Sequence, residues 1–155
     1  MAIALLTIIA TSCDPGYYES MVIRNESSHT VTVIPGTREC GNGEPSYNVE
    51  NKTYTLVPSE EVVIQSTGGI GEASLEEGIE VFLQYYGDSV TFRFNWETGP
   101  QIVYYRIDTT GISPYNFNSP YYNYKEKHHY GRWFNGHSTY GKLTFSVTEE
   151  MIDDR

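Results

Sequence analysis

IEVFLQYYGDSVTFRFNWETGPQIVYYRID, residues 79–108, carries the clearest strand pattern in the chain. Val90, Phe92, Phe94 and Trp96 alternate with Ser89, Thr91, Arg93 and Asn95. A period of two with one apolar and one polar face marks a half-buried strand. The segment before it alternates Ile79, Val81, Leu83 and Tyr85 against Glu80 and Gln84. Between them Tyr86-Gly87-Asp88-Ser89 puts glycine at the first central position of a type II′ hairpin turn. Glu97-Thr98-Gly99-Pro100 then turns the chain into residues 101–108. The stretch predicts three consecutive antiparallel strands.

The flanking sequence carries the same pattern. Residues 21–25 and 29–34 read as strands joined by Asn25-Glu26-Ser27-Ser28, with Val31 and Val33 inward and Thr30 and Thr32 outward. Residues 47–57, with Tyr54 and Leu56 inward, turn at Pro58-Ser59-Glu60 into a strand over 61–66. Residues 67–78 hold too much glycine for an element, apart from one helical turn that Ser74-Leu75-Glu76-Glu77 could start with a capping box. Leu143, Phe145 and Val147 alternate with Lys142, Thr144 and Ser146 in a last strand, and residues 148–154 open with a cap residue and acids. About eight short strands with hairpin connections predict an all-β protein, an antiparallel two-sheet immunoglobulin-like sandwich. A closed barrel is the alternative. A long aromatic-rich loop precedes the last strand, and no internal repeat is present.

The chain has 155 residues, enough for one domain with a core that needs no covalent staples. Its net charge of −10 and the absence of a Lys/Arg cluster in sequence argue against nucleic acid, because little is available to neutralise phosphates. The same charge argues against electrostatic docking on an anionic membrane.

MAIALLTIIA, residues 1–10, is apolar throughout and is followed by Thr11-Ser12-Cys13-Asp14-Pro15-Gly16. About ten apolar residues are too few to span a bilayer but suit the apolar region of a secretory leader. The alternative is a buried strand, against which the run's lack of alternation counts. Ala10-Thr11-Ser12-Cys13, with a small residue just before cysteine, resembles the lipobox of a bacterial lipoprotein signal. The resemblance implies cleavage before Cys13, a diacylglyceryl thioether on its sulfur and a third acyl chain on its amine. Two or more such chains hold a protein on a membrane stably, at roughly 0.8 kcal/mol per buried CH₂. On this reading residues 1–12 are the signal, 13–20 a short tether and 21–155 the domain. Cys40 is then left without an internal partner; if Cys13 stays unlipidated, a Cys13–Cys40 bridge is the competing use.

The lipobox, the opening strand VIRNESSHTVTVI, the LVPSEEVVI turn and the DSVTFRFNWETGPQIVYY hairpin together resemble small lipoproteins of Bacteroidota-type bacteria. Those carry a sandwich domain of unassigned function. The likeness covers most of the chain, and its motifs are structural. It implies a cell-envelope location, lipid-anchored on the outer membrane at its periplasmic or surface face, and brings no catalytic residue with it. Asp88-Ser89-Val90 matches the O-glycosylation sequon of such bacteria, although the turn already accounts for Gly87-Asp88.

Residues 111–141 break the strand pattern with prolines, asparagines and a dense load of rings. Tyr121, Tyr122, Tyr124, Tyr130, Trp133 and Phe134 are the candidate binding residues. Rigid amphipathic rings on a loop can stack on sugars or anchor a protein at little entropic cost. The competing reading is that several of them close the open end of the sandwich as core. His128, His129 and His137 are candidate metal ligands by chemistry, with Glu126 nearby, but neighbouring histidines on a strand diverge and the spacing matches no recognised ligand set. The chain lacks a G-x-S-x-G elbow, and its paired acids Glu60-Glu61, Glu76-Glu77 and Glu149-Glu150 are sequence neighbours that diverge on a strand. The expectation is a non-enzymatic lipoprotein without cofactor, binding a glycan or an envelope protein. A structural subunit of an envelope complex is the alternative, and a metal-dependent enzyme the third reading.

Overall fold

A computed structural model of the chain describes residues 16–36, 52–70, 86–95, 98–129 and 138–153. Among the described residues, eight strands form two sheets. They are β1 (Gly16–Asn25), β2 (Val31–Pro35), β3 (Tyr54–Leu56), β4 (Glu61–Ile70), β5 (Ser89–Phe94), β6 (Gln101–Tyr105), β7 (Tyr122–His129) and β8 (Ser138–Val147). The first sheet has the order β4-β1-β8-β7 and the second β3-β2-β5-β6. A helical turn, Glu150–Asp153, follows β8 and buries Met151. The two-sheet sandwich expected from the strand pattern is the fold.

Alternation does what the sequence dictates in β5. Val90, Phe92 and Phe94 are buried while Ser89, Thr91 and Arg93 are not. Val31 and Val33 of β2, Leu56 of β3 and Ile102 of β6 complete that sheet's inner face. Met21, Ile23, Leu143, Phe145 and Val147 come from the other sheet to meet them in one core. The ring of Phe92 stacks on Phe145 at 5.9 Å between centroids, joining the sheets at their middle. Burying a side chain of that size stabilises by about 1.5–3 kcal/mol.

Several local expectations change. β5 was expected to form a hairpin with residues 79–85 across Tyr86–Ser89. Instead both of its edges are filled, by β2 on one side and β6 on the other. Tyr86 belongs to a helical turn, and Gly87, at φ +68°, is the left-handed residue that ends it. Residues 71–85, including the Ser74 capping box, lie outside the described residues. The β5–β6 connection rests on Asn95 at φ +58° and on Gly99, where a Cβ would fall 1.4 Å from the Phe94 carbonyl oxygen.

The strand that the sequence started at residue 21 begins earlier. Gly16 to Ser20 already belong to β1, paired with β4 on one edge and β8 on the other. β4 likewise runs on through Gly68 and Gly69, which sequence reading left in a loop. A Cβ on Gly68 would lie 3.0 Å from both the Tyr17 carbonyl oxygen and Tyr18 Cδ1, so the Tyr18 ring covers the space that glycine leaves. A bulge opposite Met21 and Val22 separates this extension from the rest of the ladder.

Five of the six ladders are antiparallel, but β1 and β8 run parallel, side by side at the centre of the first sheet. They come from opposite ends of the chain. β7 was not expected at all. Its inward positions are Tyr122, Tyr124, Glu126 and His128, an alternation in which half the members are polar, so hydrophobic periodicity does not reveal it.

Candidate binding face

The two faces of the first sheet differ in chemistry. The pairing register lays out the outer face in rows that cross all four strands. One row is Gly68, Tyr18, Tyr140 and Lys127; the next is Ser66, Ser20, Lys142 and Lys125. A third is Val63, Val22, Thr144 and Asn123, and Glu61, Arg24 and Ser146 begin the fourth.

The first row carries the most exposed aromatic surface. Tyr18 and Tyr140 stack at 5.4 Å between centroids with 16° between their planes, and remain 56% and 47% exposed. An aromatic pair gains about 0.5–1.5 kcal/mol beyond its burial, so the two rings hold each other in place. Tyr18 leans over Gly68, Tyr140 leans on Tyr18, and much of the stack still faces solvent.

The lower rows are polar and charged. A groove of about 370 Å³ runs along them, lined by Arg24, Glu26, Glu61, Tyr121, Asn123, Lys125, Lys142, Thr144 and Ser146, among others. Lys142 Nζ donates to Glu61 Oε1 at 2.6 Å, and Arg24 Nε lies 3.5 Å from Glu26 Oε1. Both pairs are about half exposed, and contacts of that kind add only about 0–1 kcal/mol. Val22 points the same way yet is fully buried among its neighbours.

The inner face of the same sheet carries polar groups at its Gly16 end, beyond the core. Glu19 is only 2% exposed. Tyr124 donates its hydroxyl to Glu19 Oε1 at 3.4 Å. Burial first, then the charges of Glu19 and Glu126, push the Tyr124 phenol up to about 12. Gly141 makes room for this contact, since a Cβ there would lie 2.7 Å from the Tyr124 oxygen and 3.2 Å from Glu19 Cγ. His128 Nδ1 sits 3.3 Å from Thr139 Oγ1, and its Nε2 is 3.9 Å from Glu126 Oε2.

The rings proposed from sequence separate into different roles. Tyr122 packs edge-on against Phe145 at 4.9 Å and donates its hydroxyl to the Pro114 carbonyl, so it is core, and burial raises its phenol pKa. Tyr124, partly buried, packs against the same core and turns its hydroxyl to Glu19. Tyr115 is also core, 2% exposed and edge-on to Tyr86. Tyr121 differs: it lines the outer groove and donates its hydroxyl to the Glu150 carboxylate. Tyr130, Trp133, Phe134, His137, Cys13 and Cys40 lie outside the described residues.

His128 and His129 occupy consecutive positions of β7, opposite Thr139 and Ser138. Among the described residues, no three His, Cys, Asp or Glu side chains group to hold a metal ion, and no helix is long and apolar enough to cross a membrane. Sequence reading missed Tyr18, which fell in the supposed tether, counted Tyr140 only as the last ring of the aromatic segment and not among the six candidates, and passed over the lysines of β7 and β8. Only the pairing register brings these together, and no local pattern announces it. No protein-family model and no curated protein sequence matches the chain.

Proposed function

We propose that the chain is a lipid-anchored protein of a bacterial cell envelope whose sandwich binds a glycan without altering it. The observation that carries this reading is the exposed stack of Tyr18 and Tyr140 on a rigid sheet. Two preorganised rings offer flat apolar area to the carbon face of a sugar with little further entropy to lose. Asn123, Thr144 and Ser146 in the adjoining groove supply hydrogen-bonding groups for hydroxyls. Pull-down on a panel of polysaccharides tests it: the wild-type protein should be retained by at least one, and Tyr18→Ala and Tyr140→Ala should reduce retention with the melting temperature nearly unchanged. Retention by none sinks the glycan reading.

Anchoring rests on Cys13, and the fold adds a geometric consequence. Only Asp14 and Pro15 stand between that cysteine and Gly16, the first residue of β1. With acyl chains on Cys13, the Gly16 end of the first sheet lies within about 11 Å of the lipid surface, the reach of three extended residues. Cys13→Ala should move the protein from the membrane to the soluble fraction, and unchanged fractionation counts against lipidation.

A constant protein partner is the second reading, favoured by a different surface. Ile107 is 86% exposed and Phe117 56%, both on the loops that follow β6. Co-purification of one stoichiometric envelope protein, lost in Ile107→Asp, would support it.

A further inference from the structure

The outer face of the first sheet has a charge pattern opposite to that of the protein. The chain holds 20 acidic and 10 basic residues. Yet Arg24, Lys125, Lys127 and Lys142 all lie on this face, where the acids among the described residues are Glu61 and, at its rim, Glu26 and the Glu150 that Tyr121 bonds. Lys125 and Lys142 are direct register partners across the β7–β8 ladder. Like charges placed opposite one another across a ladder destabilise it. Glu61 reaches only Lys142, while Lys125 and Lys127 form no ion pair among the described residues. Three of the chain's four lysines therefore lie on this one face, two of them outside any ion pair among the described residues.

We infer that this strip takes an anionic glycan, a chain of sugars bearing carboxylate or sulfate groups. The inference rests on the glycan reading above and names the class of sugar. Tyr140 and Lys142 stand two residues apart on β8, about 7 Å, so one sugar stacked on the ring puts its neighbour's acid group beside the ammonium groups. Lys125 and Lys127 supply positive charge, Arg24 extends it along the groove, and Asn123 and Thr144 bind hydroxyls. Glu61 already pairs with Lys142, so an acidic sugar gains most at Lys125 and Lys127, where a neutral one gains nothing from charge. A flat lipid surface does not enter a groove floored by polar side chains.

Calorimetry on the intact protein at low salt tests this with polygalacturonate and a sulfated glycosaminoglycan as acidic probes and dextran and xylan as neutral ones. The acidic probes should bind, with affinity falling as salt rises. Lys125→Glu/Lys127→Glu, at two exposed positions, should weaken that binding at least about tenfold, and so should Tyr140→Ala. Lys125→Arg should retain it, which separates loss of charge from loss of fold. Neutral probes bound as tightly, with no effect of charge reversal, would overturn the inference and leave the glycan reading standing. Binding of neither class would overturn both. Binding of anionic vesicles or of inorganic sulfate alone, without the polysaccharides, would show that the strip reads charge and not sugar, and would also overturn it.

Discussion

At the scale of single residues, the fold leans on a few positions where only one side chain fits. Asn25 is fully buried, and its amide nitrogen donates to the His29 carbonyl at 2.7 Å and the Leu56 carbonyl at 3.0 Å. Its side-chain oxygen accepts from the Ser27 N–H at 3.0 Å and from the Ser27 hydroxyl at 2.7 Å. One side chain therefore holds the β1–β2 turn and links it to the end of β3. Asn25→Ala should cost about 2–3 kcal/mol in urea unfolding, because buried carbonyls lose their donors. Asn25→Asp should do no better, since it offers an acceptor where two carbonyls need a donor. Gly99→Ala should cost about 2 kcal/mol or more, since the Cβ runs into backbone that has no room to yield; thermal unfolding measures it.

At the scale of elements, the two sheets are joined by rings, and the rings titrate late. Burial is the leading cause that raises the phenols of Tyr115, Tyr122 and Tyr124, with the last reaching about 12. An unfolded tyrosine loses its proton near pH 10. The folded state holds its protons more tightly, so this stabilisation is complete below about pH 10. It is lost as pH climbs from there toward and past the raised values. Denaturant midpoints should therefore fall above about pH 10, and tyrosinate absorbance should show buried rings ionising only as the protein unfolds. Tyr→Phe at Tyr124 should remove part of that pH dependence. Simultaneous ionisation of every tyrosine near pH 10 in the folded protein would contradict the packing of these three. At the other pH extreme, the Ser28 hydroxyl and N–H both donate to Glu149 and hold its carboxyl below the ordinary carboxylate range.

At the scale of the whole molecule, the first and last strands lie next to each other at the centre of a sheet. That ladder closes only when most of the chain has been brought together, and a sandwich of non-local pairs folds in milliseconds to seconds. Stopped-flow refolding on that timescale is expected, and substitutions across the β1–β8 ladder should act mainly on the unfolding rate. Refolding in microseconds would mean that local contacts dominate. The same arrangement sets the geometry of the proposed anchor, because a strand that starts at Gly16 leaves almost no slack between lipid and sandwich.

The class of fold and most of its inner face were legible in the chain's local pattern. Val31, Val33, Leu56, Val90, Phe92, Phe94, Leu143, Phe145 and Val147 all lie where alternation put them, because a period of two is a local property that burial then rewards. The sequence also determined the charge of the chain. Tertiary structure alone decided which strands are neighbours, and so moved β5 from an expected hairpin with residues 79–85 to a place between β2 and β6. It turned Tyr122 and Tyr124 from candidate ligand-binding rings into packed ones, since sequence cannot say which side of an unrecognised strand faces in. It assembled Tyr18, Tyr140 and the lysines of β7 and β8 into one face through contacts between opposite ends of the chain. Those contacts leave no local trace, because each residue's partner across a sheet is set by register and not by its neighbours in sequence.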